Sequence, residues 1–282
     1  LFEEFFSHDT SYSLSSYPLE FQGWESLFLQ VSNGLGMTSV GYPHACIRYW
    51  DLRYLFSKKL ISIYDDYYSL PLFIASTSSL INHKLIDSGF NKNRIVLLES
   101  LRYSWISPGL ASTSRVSTKS QKYEPSILIL LDYKVKSSLL LLDCAYSLRD
   151  SFKNSSITLR EHPSCPINCH FHDSSFEISS QGFLEDLSQC DLVVSSCSTT
   201  AALEAYICSK HVLILLENDS LHYGPLKSID YPYTARNIPH VIELVKDFCS
   251  SRNSLTYQNE DLKHIYTSDL CLWGSLIDSF TS

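Results

Sequence analysis

The sequence predicts an α/β fold with parallel sheets, divided between two domains. Short apolar runs that suit buried strands alternate with segments of helical periodicity, a pattern typical of parallel sheets. A polar stretch from Ser107 to Pro125, rich in Ser, Thr and Lys, has no periodic apolar positions and is typical of an inter-domain linker. We therefore expect domains at residues 1–115 and 116–255, followed by a helical segment at 256–282.

The first half begins with a predicted helix at residues 23–35. Trp24, Leu27, Phe28 and Val31 follow the i, i+3, i+4, i+7 spacing, which predicts that these four side chains form its buried face. The elements predicted after it are strands at 38–42, 72–76 and 94–98 and a helix at 78–88.

The second half has the pattern of a doubly wound α/β domain. The apolar run at 127–131 predicts a buried strand, and Leu141, Leu142, Ala145 and Leu148 follow at helical spacing. The further predicted elements are strands at 157–160, 177–179, 192–195 and 212–216 and helices at 183–189 and 200–208.

Composition and charge exclude several classes of protein. Of 282 residues, 44% are hydrophobic and 18% are charged, which indicates a globular chain rather than a disordered one. The net charge, 22 − 30 = −8, argues against a general nucleic-acid binder. The apolar runs are much shorter than the roughly 20 residues that span a bilayer. Nine cysteines, an odd number, predict reduced thiols in a cytoplasmic protein. Because the sequence starts at Leu1, we expect the N-terminal domain to be truncated.

Two segments at predicted strand ends have the chemistry of a phosphate site. Ligands of parallel α/β sheets bind at the carboxyl ends of strands, where helix N-termini present free N–H groups. One segment is Arg160–Pro163, and the other is the hydroxyl-rich Ser195–Thr200. Glu204, one turn into the following helix, is a candidate acceptor for ribose hydroxyls. The candidate nucleotide-sugar-binding residues are His162, Pro163, Ser196, Ser198, Thr199, Thr200 and Glu204.

Each segment also has a structural interpretation. His-Pro after a strand is often only a turn, and Ser or Thr before a helix is most often a cap. Their occurrence together at corresponding strand ends of one domain favours a nucleotide-phosphate site.

Five segments resemble a bacterial family of surface-carbohydrate biosynthesis proteins. They are His44–Tyr54, Glu99–Tyr103, Glu161–Ile167, Ser198–Tyr206 and Tyr223–Leu226, and they cover most of the chain in matching order. More distantly, the His-Pro and Ser/Thr segments resemble bacterial sialyltransferases and Kdo transferases. This resemblance implies a GT-B-like fold, in which two Rossmann-like domains with parallel sheets face a cleft.

The resemblance also implies the chemistry. His162 and Pro163 would contact the cytidine and phosphate of a CMP-sugar donor, with Ser198, Thr199 and Thr200 around the phosphate. The chain would be a glycosyltransferase of bacterial surface polysaccharide synthesis, including lipopolysaccharide, that transfers Kdo or a sialic-acid-like sugar to a glycan or glycolipid acceptor. It would need no metal and no cofactor besides the donor.

The sequence identifies the catalytic base less clearly than it identifies the nucleotide-binding residues. The related enzymes carry an acidic residue followed by glycine in the N-terminal domain, and this sequence has no clean copy of that motif. Glu20, Glu25 and Asp51 are the candidates for the base that takes the acceptor's proton. Each of them has an alternative role as a solvated or salt-bridged carboxylate. The nearby Arg48, Trp50 and Arg53 suit either an acceptor site with rings stacked on sugars or an aromatic cluster whose arginines pair with Asp51.

Three alternatives stay open at this point. One is a UDP-sugar transferase or epimerase of the same architecture, and another is a catalytically inactive nucleotide-sugar-binding partner. The third is a zinc site, because thiolates and imidazoles are zinc ligands. Its candidate ligands, which lack a distant cysteine pair, are His162, Cys165, Cys169, His170 and His172. We expect a cytoplasmic protein, with peripheral association at the inner face of the membrane as a further possibility.

Overall fold

The computed structural model describes residues 12–66, 70–106, 124–166, 176–229, 231–251 and 269–281. The chain divides into two compact units, residues 1–105 with 258–282 and residues 106–257. The domain boundary predicted at 115/116 lies within 107–123, outside the described residues. Most of the C-terminal segment predicted at 256–282 belongs to the first unit.

The first unit is built on a four-stranded parallel sheet with the order β1-β2-β3-β4. Its strands are β1 (Leu14–Pro18), β2 (Thr38–Tyr42), β3 (Phe73–Ser76) and β4 (Ile95–Leu97). Its helices are α1 (Gly23–Gly34), α2 (Lys58–Asp66), α3 (Ser79–Asp87) and, from the C-terminal segment, α8 (Cys271–Thr281).

Different elements cover the two faces of this sheet. Because side chains alternate along a strand, Ile74 and Ala75 of β3 point to opposite faces. Ile74 packs with Leu29 of α1 and Leu85 of α3, whereas Ala75 packs with Trp273 of α8. The C-terminal helix therefore completes the core of the first unit.

The orientation of α1 differs from the prediction. Trp24 and Leu27 are exposed, and the buried positions are Glu25, Leu29 and Ser32. The physical reason is the inward-facing Glu25, whose carboxylate accepts the backbone N–H groups of the two residues Glu20 and Phe21 before the helix. The predicted buried face is therefore wrong at Trp24 and Leu27, whereas Phe28 packs against the core as predicted.

The second unit contains a six-stranded parallel sheet with the order β10-β9-β8-β5-β6-β7. Its strands are β5 (Ile127–Leu130), β6 (Ile157–Arg160), β7 (Glu177–Ile178), β8 (Leu192–Ser196), β9 (His211–Leu215) and β10 (Thr234–Ala235). Its helices are α4 (Val135–Ser151), α5 (Phe183–Gln189), α6 (Ala201–Ile207) and α7 (Ile238–Ser251).

The strand order of the second sheet reverses between β5 and β8. From β5 the chain proceeds outward through β6 and β7, then returns to the other side of β5 with β8 and continues through β9 and β10. Such a reversal separates the loops that follow β5 and β8 and opens a crevice at their carboxyl ends, where doubly wound folds bind ligands. The residues after β5 and β8 are therefore candidates for a ligand site.

None of the helices in the described ranges combines the length and the apolar composition of a membrane span.

Burial of His211 makes the stability of the second unit depend on pH. This side chain stacks on Phe248 with ring centroids 4.9 Å apart, and burial lowers its pKa to about 4. Since an unfolded histidine binds a proton below about pH 6.5 while the folded one stays neutral, the free energy of unfolding should fall as the pH drops from 6.5 towards 4. We expect His211 to contribute about 2–3 kcal/mol of this loss. His211→Phe should show a smaller loss in urea titrations across this range, and an unchanged loss would contradict the prediction.

Candidate functional site

The residues that follow the central strands of the second sheet form one polar cluster. Asp132 to Lys134 follow β5, His162 follows β6, Ser196 to Thr199 close β8, and Glu217 follows β9. The strands that precede the Ser196 and His162 segments, β8 and β6, flank β5 on its two sides and are about 10 Å apart, two strand spacings. The loop after β5 lies between them.

A buried carboxylate connects the loops after β5 and β8. Asp132 is fully buried, and its Oδ2 accepts hydrogen bonds from the hydroxyl groups of Ser196 and Ser198. Its Oδ1 accepts the backbone N–H of Lys134 at 2.9 Å. The backbone of Asp132 is fixed as well, because Ser138 Oγ accepts its N–H at 2.9 Å and donates to its carbonyl oxygen at 2.8 Å. Asp132 therefore holds both loops in one arrangement.

These contacts determine what the two serines can offer a ligand. A hydroxyl group has one hydrogen to donate. Ser196 and Ser198 both direct that hydrogen at Asp132, and Ser196 Oγ also accepts the N–H of Ser198 at 3.2 Å. In this arrangement their side chains are not donors to a phosphate, so their direct role is to shape the loop.

Lys134 supplies the positive charge at this edge. Its ammonium group donates a hydrogen bond to the hydroxyl of Tyr223 and lies 4.8 Å from the centre of that ring and 5.5 Å from the ring of Tyr133. The hydrogen bond to Tyr223 is the largest of the effects that raise the pKa of Lys134 above its ordinary value. A permanent cation therefore stands beside the crevice between β5 and β8.

A small cavity opens between α4 and the loops after β8 and β9. Its volume is about 140 Å³, and its polar lining includes Lys134, Lys136, Ser137 and Glu217. Glu217 accepts hydrogen bonds from Ser137 Oγ at 2.6 Å and from Lys136 Nζ at 2.9 Å, and these contacts hold the pKa of its carboxyl group below the usual range. The cavity therefore presents two ammonium groups and one fixed carboxylate.

Gly224 allows the loop after β9 to approach the loop after β8. A Cβ atom at this position would lie 2.6 Å from the carbonyl oxygen of Cys197, closer than real Cβ contacts allow. The absence of a side chain there places Tyr223, and through it Lys134, next to the Ser196–Thr199 segment.

His162 lies in a tight turn at the end of β6. Its Nδ1 atom accepts the backbone N–H of Ser164 at 3.2 Å, and its ring lies edge to face with Tyr133 at 5.8 Å. Because Nδ1 accepts this hydrogen bond, the proton of the neutral ring is assigned to Nε2, which makes that atom a donor. Pro163, the next residue, is exposed.

The remaining predicted residues of the second unit surround the start of α6. Thr199 is buried, and its hydroxyl oxygen accepts the N–H of Ala201 at 3.2 Å. Thr200 is the N-cap residue, and its side chain makes no capping hydrogen bond. Glu204 is half-buried in the first turn of this helix.

The predicted catalytic carboxylates lie in the first unit, near the end of β1. Asp51 accepts hydrogen bonds from Arg53 Nε at 2.9 Å and Nη2 at 2.8 Å, and Glu20 forms an ion pair with the same guanidinium group. The side chain of Glu20 is 28% exposed, whereas that of Asp51 is 8% exposed. Glu25 is buried and holds the backbone N–H groups described above. Of the three, Glu20 is the most accessible to a substrate.

The sequence interpretation missed Asp132, Lys134, Lys136, Glu217 and Tyr223. A signal for three of them was present, because Asp132 and Lys134 follow the predicted strand at 127–131 and Glu217 follows the one at 212–216. The rule that selected Arg160–Pro163 applies equally to these strand ends. Arg160 itself has a structural contact, donating to Asp186 Oδ2 at 2.5 Å.

The zinc hypothesis falls partly outside the described residues. Cys169, His170 and His172 lie in the range 167–175, which the structure does not describe. Over the described part of the chain no group of three His, Cys, Asp or Glu side chains is arranged to hold a metal ion, and every cysteine is a free thiol.

Comparisons with known proteins identify solved structures with a similar fold. No protein-family model and no curated protein sequence matches the chain. Among solved structures, it is similar to UDP-GlcNAc 2-epimerase from Methanocaldococcus jannaschii, with 12% identity, a TM-score of 0.58 and coverage of 99% of this chain and 80% of that one. It is also similar to Anabaena HepE in complex with UDP-glucose, with 10% identity, a TM-score of 0.58 and coverage of 99% of this chain and 81% of that one. A third similar structure is the glycotransferase of kitacinnamycin, with 10% identity, a TM-score of 0.59 and coverage of 97% of this chain and 77% of that one. Identities this low show the fold alone, and the chain therefore has a GT-B-like α/β fold with two parallel Rossmann-type sheets.

Proposed function

We propose that this protein is a glycosyltransferase that uses a nucleotide sugar, and that the nucleotide is UDP. The observation that carries the proposal is the cavity at the reversal point of the second sheet, with Lys134 and Lys136 on one side and the loop fixed by Asp132 on the other. Doubly wound folds bind nucleotides at this location.

The cavity has the electrostatics that a diphosphate requires. The two ammonium groups offset phosphate charge, and α4, a helix of 17 residues, begins beside them with its positive dipole end. Glu217 stays ionised and offers acceptor oxygens to sugar or ribose hydroxyls. His162 adds an N–H donor on the other side of β5.

Support for UDP rather than CMP comes from the comparisons. Similar structures are described as complexes with UDP, UDP-glucose and UDP-GlcNAc. The resemblance to CMP-sugar transferases rests on His162, Pro163 and the Ser/Thr segment alone. One member of the implied CMP contact set, Ser198, directs its hydroxyl hydrogen at Asp132, which leaves fewer donors for a CMP phosphate.

In the proposed transfer, the acceptor hydroxyl attacks the anomeric carbon while the bond from that carbon to the phosphate oxygen breaks. The proton of the hydroxyl passes to a carboxylate, and the nucleotide leaves with its added negative charge stabilised by Lys134 and Lys136. Among the three predicted carboxylates we assign the base role to Glu20, because its side chain is more exposed than those of Asp51 and Glu25. The identity of the acceptor, a glycan or a glycolipid, belongs to this proposal.

A second candidate function is a UDP-sugar epimerase, favoured by similarity to several structures described as UDP-GlcNAc 2-epimerases. Incubation with UDP-GlcNAc distinguishes the two. A transferase releases UDP only together with transfer or hydrolysis of the sugar, whereas an epimerase forms the 2-epimer without net release. Tight binding of UDP without either product would instead identify an inactive nucleotide-sugar-binding protein.

The nucleotide assignment is tested by replacing Lys134. Lys134→Met keeps an unbranched side chain but removes its charge, and it should weaken UDP binding about 10- to 100-fold in isothermal titration calorimetry, because a charge-assisted contact is lost. Wild-type protein should bind UDP more tightly than CMP.

The matched control is Lys153→Met, which removes an exposed lysine that pairs with Asp150 at the far end of α4. It should leave UDP affinity within about twofold of wild type. Equal loss in both variants would indicate nonspecific attraction, and preference for CMP would return the donor to the CMP-sugar class.

A further inference from the structure

A β-turn in the first unit presents two aromatic side chains to solvent. The N–H of Asp51 donates to the carbonyl oxygen of Arg48 at 3.1 Å, so Tyr49 and Trp50 occupy the two corner positions of the turn. Tyr49 is 42% and Trp50 is 47% exposed, and their rings meet edge to face at 4.9 Å. Turn corners normally carry Gly, Pro, Asn, Asp or Ser. Such departures from local sequence preference are typical of functional sites.

The turn is held from both ends. The ammonium group of Lys84, on α3, donates hydrogen bonds to the carbonyl oxygens of Arg48 and Tyr49. Burial lowers the pKa of Lys84, and its half-buried ammonium group fixes this backbone through these two hydrogen bonds. On the other side, the carboxylate of Asp51 is bound by Arg53. The two rings are therefore displayed on a backbone that is already ordered, which reduces the entropy cost of binding a ligand.

We propose that the Tyr49–Trp50 turn binds a sugar ring of a glycan. A pyranose ring has a face of C–H bonds, which suits an aromatic surface, and a rim of hydroxyl groups, which suits charged hydrogen-bonding side chains. Arg53, which is three residues from Trp50 in the chain, and its ion-pair partner Glu20 supply such groups. Both of its members are partly exposed, so their remaining donors and acceptors are accessible to hydroxyls.

The same features disfavour a protein partner. Together with the exposed Leu52, the turn offers three apolar side chains between charged residues. A stable protein interface buries about 800 Å² on each partner, more than three side chains supply. The binding of a sugar at this turn does not depend on the proposed function. The further step, that the bound glycan is the acceptor of the sugar transfer, rests on that proposed function.

The test uses the full chain without nucleotide and saturation-transfer NMR with cellotetraose, chitotetraose and a tetragalacturonide at millimolar concentration. We expect transfer to the C–H protons of at least one oligosaccharide. Trp50→Ala should weaken its binding about tenfold or more, since one ring contact is removed, and Trp50→Phe should retain part of it. Lys84→Met should also weaken binding, although it leaves both rings in place.

Trp24→Ala is the matched control, because Trp24 is 45% exposed in the same unit but lies on α1 outside the turn. It should bind as wild type does. The proposal would be overturned if no saturation transfer to any of the three oligosaccharides is seen. Equal saturation transfer in Trp50→Ala and wild type would also overturn it. Self-association in ultracentrifugation that Trp50→Ala abolishes would assign the turn to a second copy of the chain and would also overturn it. Oligosaccharide binding in a protein that fails to bind UDP would contradict the proposed function alone.

Discussion

Replacing Trp273 with alanine is expected to lower the free energy of unfolding of the first unit by about 3–5 kcal/mol. Trp273 is buried against Val40, Ala75 and Leu98, on the sheet face that α8 covers. Its indole N–H also donates to the carbonyl oxygen of Glu99 at 2.9 Å. The substitution removes the largest side chain of this small cluster and leaves that carbonyl without its partner.

The distribution of tryptophans makes this measurement specific. All four tryptophans of the chain, at positions 24, 50, 105 and 273, belong to the first unit. Urea titration followed by tryptophan fluorescence therefore reports the first unit, with three residues still present in the variant. Leu272→Ala, at an exposed neighbouring position of α8, should cost less than about 1 kcal/mol. A loss of stability in Trp273→Ala as small as that in Leu272→Ala would show that α8 contributes little to the core.

Glu99 explains why the distant C-terminal helix returns to this sheet. Its two carboxylate oxygens accept the backbone N–H groups of Leu272 at 2.8 Å and Trp273 at 3.2 Å. These N–H groups belong to the first turn of α8, which has no partners for them within the helix. The carboxylate also stabilises the positive end of the helix dipole. A sequence separation of 173 residues makes such a cap invisible to local pattern analysis.

The sequence predicted all but one strand of each sheet, β1 in the first and β10 in the second. The strands at 157–160 and the helix at 183–189 coincide with β6 and α5, and the runs at 127–131 and 192–195 match β5 and β8 within one residue. Strands that are buried on both faces appear as continuous apolar runs, which composition alone reveals. In the first unit, β1 carries serines and a tyrosine, and it was not predicted because it lacks such a run.

The candidate site was only partly predictable for a different reason. Strand ends can be located from the sequence, and this placed His162 and the Ser196–Thr200 segment at one edge of the sheet. The direction in which a hydroxyl donates its hydrogen depends on which carboxylate folds against it. Asp132 lies 64 residues from Ser196, and only the pairing of β5 with β8 brings them together.

Replacing Asp132 with alanine should have the largest effect on the second unit. The change leaves the buried hydroxyl groups of Ser196 and Ser198 and the N–H of Lys134 without their acceptor. We expect a loss of about 3 kcal/mol or more in the free energy of unfolding, since each unsatisfied buried donor costs about 1–3 kcal/mol. Circular dichroism in urea should show this loss, while the tryptophan fluorescence transition of the first unit stays in place.

Asp150→Ala removes an exposed carboxylate from α4 of the same unit and should change stability by less than about 0.5 kcal/mol. Asp132→Asn separates shape from charge, because the amide retains one acceptor oxygen while the serine hydroxyls reorient towards it. This variant should fold but bind UDP more weakly, since the loops after β5 and β8 lose their common ionic acceptor. Wild-type UDP affinity in a folded Asp132→Asn protein would show that the arrangement of these two loops does not determine nucleotide binding.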